Sequence, residues 1–193
     1  MDLADIILDR LGGGKGFVVA VRGSWAFAGR QAVQRLSGLG GLSVQMVDEA
    51  GVGVDSLLDL WLKMSRGRAD VGSFVISLGE RRVHALALTA ASGYLGGIAS
   101  VAVPTNPLAA LDECVRGFCF IKLKNRRVIG ARGRPELLAV DTALLPAGNS
   151  RHLLAEAVKL GAVASGELFE FVNAEAKALE SGNLDAYEEL LSL

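Results

Sequence analysis

Short apolar runs alternate with amphipathic segments over the first 123 residues of the chain. Uninterrupted apolar runs are typical of buried strands, and apolar residues at helical spacing are typical of helices. The pattern predicts strands at 17–21, 42–47, 73–77, 98–103 and 117–123, with helices at 2–11, 26–39, 55–66, 81–91 and 107–114. Strands that alternate with helices through short glycine loops predict a doubly wound α/β domain with a five-stranded parallel sheet flanked by helices.

The pattern changes after residue 123. Residues 125–134 are polar and basic and predict a loop or a hairpin, whereas 135–145 has no clear period. Apolar residues at helical spacing then begin at 150, with an interruption predicted at Gly161 or Gly166, and a last helix is predicted at 184–193. We therefore expect a single domain over 1–193, with a sheet core at 1–123 and a basic loop and C-terminal helices at 124–193.

The composition agrees with a packed interior. Apolar residues make up 51% of the 193 residues, and 20 Lys and Arg stand against 21 Asp and Glu, which gives a net charge of -1. That balance excludes a globally basic nucleic-acid coat protein, so nucleic acid is not an expected partner. The basic cluster from Lys122 to Arg134 is interpreted as a charged edge strand with its loop, although it also suits nucleic acid or a phosphate.

Membrane insertion and export are not expected either. Residues 83–103 carry no charge, but glycines at 93, 96 and 97 interrupt them, which favours a helix, a turn and a buried strand over a membrane span. The first residues are acidic where a secretory signal is basic. With only two cysteines, the chain is expected to be cytoplasmic.

Two strand ends carry a small hydroxyl residue and a glycine where the chain turns into a helix. Arg22, Gly23 and Ser24 follow the first strand, and the segment 77–81 follows the third. In an open parallel sheet, ligands bind beyond the carboxyl ends of the strands, where helix N-termini offer N–H groups to an anion. Ser24 and Ser77 are therefore candidate phosphate ligands, and both are also explained as helix caps.

The order of these motifs resembles the sugar isomerase (SIS) domain family, and among its members the small archaeal-type 6-phospho-3-hexuloisomerases. The similar segments lie at 18–24, 35–40, 44–49, 74–80 and 166–170. The chain departs from the family pattern at Val21, where the family has a glycine. It departs again at 77–81, where the phosphate loop is one residue short and Leu78 and Arg81 replace hydroxyl ligands.

The resemblance implies a phosphosugar-binding protein that interconverts an aldose and a ketose through an enediolate. It assigns the carboxylate base to Glu49 and ring opening to His152, and it assigns phosphosugar binding to Arg22, Gly23, Ser24, Ser77, Gly79, Glu80 and Arg81. The residues themselves leave open a solvated loop carboxylate at 49, a first-turn glutamate at 80 and a surface histidine at 152. The alternative is a non-catalytic sugar-phosphate sensor or structural subunit on the same fold, so enzymatic activity stays an open question.

No cofactor and no metal are predicted. Cys114 and Cys119 lack metal-ligand spacing, and the glycines at 12–14 precede a strand instead of following one as a phosphate loop does. A nucleotide-binding protein is disfavoured because no glycine-rich fingerprint follows the first strand. The expected partners are a small sugar phosphate and further copies of the chain, in a homodimer or homotetramer formed through its helical layers.

Overall fold

A five-stranded parallel sheet is the centre of the computed structural model, which describes residues 3–26, 36, 39, 42–48, 51–112, 114–124, 126–141, 144–145 and 151–193. The strands are β1 (Gly16–Val21), β2 (Ser43–Val47), β3 (Phe74–Gly79), β4 (Ala99–Pro104), β5 (Phe118–Leu123), β6 (Arg126–Arg132) and β7 (Leu137–Leu138). The sheet has the order β2-β1-β3-β4-β7, and all of its pairings are parallel. The predicted α/β class with a parallel sheet flanked by helices is confirmed.

Helices connect the strands and continue after the sheet. They are α1 (Leu3–Leu11), α2 (Arg22–Ser24), α3 (Val54–Arg66), α4 (Arg81–Gly93), α5 (Pro107–Leu111), α6 (Arg151–Ala164), α7 (Gly166–Ala174), α8 (Ala176–Ser181) and α9 (Leu184–Ser192). The helix predicted at 26–39 lies largely outside the described residues. The described helices include none that is long and apolar enough to cross a membrane.

Both faces of the sheet are buried, which explains why its strands are continuous apolar runs. Alternate residues of β1 point to opposite faces: Val18 and Ala20 pack with Ile7 of α1, and Phe17 and Val19 pack with the apolar faces of α3 and α4. Because neither face of the central strands meets water, the exposed positions of the sheet are its strand ends and its edges.

The strand predicted at 117–123 is not the fifth strand of this sheet, and that part of the prediction is wrong. β5 pairs with β6 in a separate antiparallel hairpin, and the short strand β7 takes the place beside β4. The physical reason is that only one face of β5 is buried: Cys119 packs on α4 and Ile121 packs in the core beneath, while Phe118 and Phe120 stay exposed. Four successive apolar residues concealed this alternation in the sequence.

The C-terminal helices form a small apolar core of their own. Leu153, Ala157, Leu168 and Tyr187 pack together, and Leu111 of α5 joins this cluster to the sheet domain. The predicted interruption falls at Ser165, whose Oγ caps α7 by accepting a hydrogen bond from the Leu168 N–H at 3.2 Å.

Candidate functional site

The strand order places a switch point between β1 and β3, at the carboxyl ends of the parallel strands, and we call this place the crevice after the ligand crevices of open α/β sheets. β1 leads to β2 on one side, whereas β3 leads to β4 on the other, so the chain leaves β1 and β3 in opposite directions. Ligands of open α/β sheets bind at such a switch point, beyond the carboxyl ends of the two strands. The residues that follow β1, β3 and β4 are therefore the candidates for this site.

Residues from the ends of three strands that are neighbours in the sheet meet there. Ser24 Oγ, in the helical turn after β1, lies 3.2 Å from Thr105 Oγ1, which directly follows β4. The backbone N–H of Thr105 donates a hydrogen bond to the Gly79 carbonyl at 2.9 Å, which ties the end of β4 to the end of β3. The structure thus brings Ser24 and Gly79, two of the predicted site residues, to one place.

Gly79 is a glycine because of its backbone angle and its close neighbours. Its φ is +149°, a conformation that residues with side chains rarely adopt. A Cβ atom at this position would lie 3.2 Å from Val21 Cγ2 and 3.7 Å from Ser24 Oγ. The absent side chain lets the turn after β3 pack closely against Val21 and Ser24 at the end of β1.

Ser77 does not line the crevice, because β3 continues two residues beyond its predicted end. The Ser77 side chain is 2% exposed, and its hydroxyl lies 2.7 Å from Nδ1 of His84 and 3.2 Å from the Val101 carbonyl. His84 in turn has Nε2 at 2.9 Å from the Gly79 carbonyl. The two residues form a buried polar link that supports the Gly79 turn from below.

The partners of His84 fix which ring nitrogen carries the proton. The Gly79 carbonyl can only accept, so Nε2 carries hydrogen and donates to it. Nδ1 of the neutral ring is then an acceptor for the Ser77 hydroxyl. Burial lowers the pKa of His84 to about 4, although the hydrogen bond to Gly79 opposes this, and the ring is neutral at pH 7.

Glu80 and Arg81 follow Gly79, and their side chains lie in different environments. Glu80 is exposed at the N-cap of α4 and makes no side-chain capping hydrogen bond. Arg81 forms an ion pair with Asp112, a carboxylate that is 3% exposed and that also pairs with Arg116. Partial burial, and next the charge of Arg81, lower the pKa of Arg116.

The remaining predicted residues are less closely associated with the crevice. Arg22 and Asp48 follow β1 and β2 and form an exposed ion pair, with Nε and Oδ1 3.2 Å apart. Gly23 is exposed in α2 with open space around its Cα. His152 is exposed in the first turn of α6, a helix that packs mainly against α5 and α7. Glu49 lies outside the described residues.

Sequence analysis missed Thr105 and Asp112. Thr105 carried a usable signal, because it is a hydroxyl residue directly after a buried strand, followed by the Asn106 cap of α5. Asp112 carried a weaker signal, as the first of two adjacent acids at the end of an apolar helix. Among the residues that the structure describes, no three His, Cys, Asp or Glu side chains lie close enough together to hold a metal ion.

Fold and crevice define the class: an α/β domain with a ligand crevice at the switch point of a doubly wound sheet. The family model described as 3-dehydroquinate synthase N-terminal matches residues 44–155, more than half of the chain. The chain therefore belongs to this family.

Curated relatives agree with this assignment. The chain is 35% identical to the 3-dehydroquinate synthase of Citrifermentans bemidjiense over 127 residues, which are 64% of this chain and 35% of that protein. It is 37% identical to the enzyme of Geotalea uraniireducens over 122 residues, 61% of this chain and 34% of that protein. The matched part thus spans about a third of the length of these relatives.

Solved structures share the fold at low sequence identity. The 2-epi-5-epi-valiolone synthase from Streptomyces hygroscopicus, solved with NAD+ and Zn2+ bound, matches with a TM-score of 0.77 and 18% identity over 93% of this chain and 53% of that chain. A 2-deoxy-scyllo-inosose synthase complexed with carbaglucose-6-phosphate, NAD+ and Co2+ matches with a TM-score of 0.71 and 16% identity, covering 98% of this chain and 62% of that chain.

The family match corrects the resemblance to the SIS domain family, which is wrong, and with it the isomerase function and the sensor on that fold. Two of the five similar segments, 18–24 and 74–80, contain strand-to-helix turns with a glycine and a hydroxyl residue. Doubly wound domains of unrelated families use such turns for anionic ligands, so the turns indicate an architecture and not a family. The roles assigned to individual site residues through that resemblance stay predictions.

Proposed function

We propose that this chain is a dinucleotide-binding domain of the 3-dehydroquinate synthase type and holds NAD+ in the crevice at the ends of β1, β3 and β4. The observation that carries the proposal is the convergence of Ser24, Gly79 and Thr105 at the switch point. Family membership and the NAD+ bound in two solved structures of similar fold support this choice of ligand. If NAD+ is held there, it would supply a hydride acceptor or donor, and the residues of this chain would bind and orient it.

The residues of the crevice fit a pyrophosphate. Gly79 has no side chain, so its backbone packs beside Ser24, a hydroxyl residue that can donate to an anion. Ser24 and Thr105 offer hydroxyl donors that now face each other. Arg22, exposed at the end of β1, supplies a positive charge at the rim.

The end of β2 fits the ribose of a dinucleotide. In doubly wound nucleotide-binding domains, an acidic residue after the second strand accepts hydrogen bonds from the ribose hydroxyls. Asp48 directly follows β2 and is 72% exposed on its side chain, so a ligand can reach it. Asp48 forms an exposed ion pair with Arg22. Breaking this ion pair costs little free energy, because exposed ion pairs contribute at most about 1 kcal/mol.

The charge of Glu80 is unfavourable for the binding of an anion in the crevice. Glu80 places an exposed carboxylate immediately after Gly79, at the N-cap of α4. Its charge repels a pyrophosphate while it interacts favourably with the helix dipole. We therefore expect Glu80 to weaken dinucleotide binding and not to act as a ligand.

Calorimetric titration of the full chain with NAD+ tests the proposal. We expect saturable binding at one site, and Glu80→Gln should bind about two- to fivefold tighter because one repulsive charge is lost. Glu167→Gln is the matched control, since Glu167 is also an exposed glutamate in the first turn of a helix, α7. This control should bind NAD+ like the unchanged chain.

A second pair of variants tests the place of binding. Ser24→Ala should weaken binding several-fold by removing a hydroxyl donor, whereas Ser181→Ala, at an exposed position in α8, should not. Absence of any heat change with NAD+ or NADP+, or binding that Ser24→Ala and Glu80→Gln leave unchanged, would contradict the proposal.

A further inference from the structure

The β5–β6 hairpin has one face that the described part of the chain leaves exposed. Cys119 and Ala131 face inward, where they pack with Ala85 and Leu88 of α4. The neighbouring positions alternate with them and therefore point outward. We call this outward side the hairpin face; it consists of Phe118, Phe120, Lys122, Arg127 and Arg132.

Strand pairing brings these five residues together. Phe118 lies opposite Arg132, and Lys122 lies opposite Arg127, across the antiparallel ladder. Directly opposed residues of an antiparallel pair project from the same side of the sheet. The hairpin face therefore combines two rings with three cations on a rigid, hydrogen-bonded scaffold.

The two rings are held in place while staying accessible. Phe118 and Phe120 are each 40% exposed, and their ring centroids are 5.7 Å apart at an interplanar angle of 64°. The Phe120 ring lies over Gly130, where a Cβ atom would come within 3.0 Å of it. The Arg127 guanidinium lies 5.8 Å from the Phe120 centroid, and that of Arg116 lies 5.2 Å from the Phe118 centroid.

The charge of this region is strongly one-sided. Between Cys114 and Pro135 the sequence has seven Lys and Arg residues and no Asp or Glu, in a chain whose net charge is -1. The remainder of the chain is therefore acidic, and the positive charge is concentrated on the hairpin and its flanks. Burial, and after it repulsion from Arg81 and Arg127, lower the pKa of Arg116.

We propose that the hairpin face binds single-stranded nucleic acid. Exposed rings next to cations are the two elements of a single-strand site: bases stack on the rings, and phosphates interact with the Lys and Arg side chains. A duplex would interact with the cations through its phosphates, but its bases are already stacked on one another and could not stack on the rings. An acidic protein segment would likewise leave the two phenyl rings without planar partners.

This inference departs from the expectation that nucleic acid is not a partner. That expectation relied on the charge balance of the whole chain, and the segment from Lys122 to Arg134 itself contains no aromatic residue. The hairpin folds Phe118 and Phe120, which precede that segment, alongside Arg127 and Arg132. The relevant juxtaposition depends on strand register and is invisible in the linear order.

Fluorescence anisotropy with a labelled oligo(dT), titrated with the full chain at several salt concentrations, tests the proposal. With three phosphate contacts, the logarithm of the affinity should fall with the logarithm of salt with a slope of about -2. The double variant Phe118→Leu/Phe120→Leu keeps apolar bulk but removes the rings. It should weaken binding by at least tenfold and leave the salt slope unchanged, because stacking does not release counterions.

Charge variants supply the complementary result. The double variant Arg127→Gln/Arg132→Gln should reduce the salt slope by more than one. The control Arg10→Gln/Arg66→Gln removes the same charge from exposed positions on α1 and α3, and it should have little effect on the affinity or the salt slope. Circular dichroism and the midpoint of thermal unfolding should match the unchanged chain, since all substituted side chains are partly or fully exposed.

Four results would overturn the proposal. They are absence of binding at low salt, equal or tighter binding of the corresponding duplex, affinity that the leucine variant retains, and displacement of oligo(dT) by polyglutamate at an equal concentration of charge. The last two would identify the face as a general anion surface or a site for an acidic protein.

Discussion

At the scale of single residues, His84 determines how the crevice is held. Its neutral ring connects the Ser77 hydroxyl to the Gly79 carbonyl inside the sheet domain. The same carbonyl accepts the N–H of Thr105, so one peptide group joins β3, β4 and α4. The turn that forms the floor of the crevice is thus fixed by a buried imidazole, and its geometry depends on the protonation state of that ring.

The lowered pKa of His84 predicts a pH dependence of stability. The pKa in the folded state is about 4 against 6.5 for an ordinary histidine, so between these values the unfolded chain binds the extra proton. His84 therefore leaves stability unaffected above about pH 6.5 and lowers it as the pH falls towards 4, by about 3 kcal/mol in total. Chemical denaturation at a series of pH values measures this change.

The two histidines of the chain allow a matched control. His84→Gln should flatten the pH dependence between pH 6.5 and 4, whereas His152→Gln, at an exposed position, should keep it. An NMR titration of the unchanged chain supplies a direct reading of the ring. Titration of His84 near pH 6.5, or equal pH slopes for both variants, would contradict this account.

The contrast between Ser24 and Ser77 shows what can be predicted about a single site residue. Both are hydroxyl residues near strand ends, and the sequence treats them alike. Ser24 reaches the crevice, whereas Ser77 lies two residues before the end of β3 and points inward. The strand therefore carries Ser77 into the interior of the sheet domain, and Gly79 takes the position at the strand end that the sequence had given to residue 77.

At the scale of elements, Asp112 connects three segments of the chain. It follows α5, and its buried carboxylate pairs with Arg81 at the start of α4 and with Arg116 in the segment leading to β5. A buried carboxylate between two guanidinium groups positions α4 relative to the hairpin. The crevice and the hairpin face are therefore linked through this one acid.

Replacement of Asp112 should be strongly destabilising. Asp112→Asn takes away the carboxylate that balances Arg81 and Arg116, and loss of one partner of a buried ion pair costs about 3 kcal/mol or more. Asp48→Asn is the matched control: it removes a carboxylate from the exposed pair with Arg22 and should cost less than about 1 kcal/mol. Equal losses in the free energy of unfolding would show that Asp112 has no special structural role.

Element prediction succeeded where an element is long and regular. The four long strands of the sheet and the helices α3, α4 and α9 lie within a few residues of their predicted positions. It placed β5 at the right residues but in the wrong sheet, and it missed β7, because pairing partners are not encoded locally. The two residues of β7 join the sheet through backbone hydrogen bonds to β4. No pattern in the sequence around them predicts this pairing.

At the scale of the whole molecule, the architecture follows from the order of elements, whereas the family does not. Alternating strands and helices predict a doubly wound sheet. Such a sheet binds ligands at its switch point. Many families share this arrangement, and short turns such as 22–24 and 77–81 recur in them. The similarity that identified the family extends over 44–155 and includes the hairpin and part of α6, which the SIS-like motifs do not cover.

The central claim is that a dinucleotide occupies the crevice formed by the ends of β1, β3 and β4, and mapping of backbone amide shifts on addition of NAD+ tests it most directly. The account predicts the largest shifts at Gly23, Ser24, Gly79 and Thr105, with the amides of α6 to α9 unchanged. Shifts confined to the C-terminal helices or to the groove between β2 and α3, or no shifts at saturating NAD+, would contradict it.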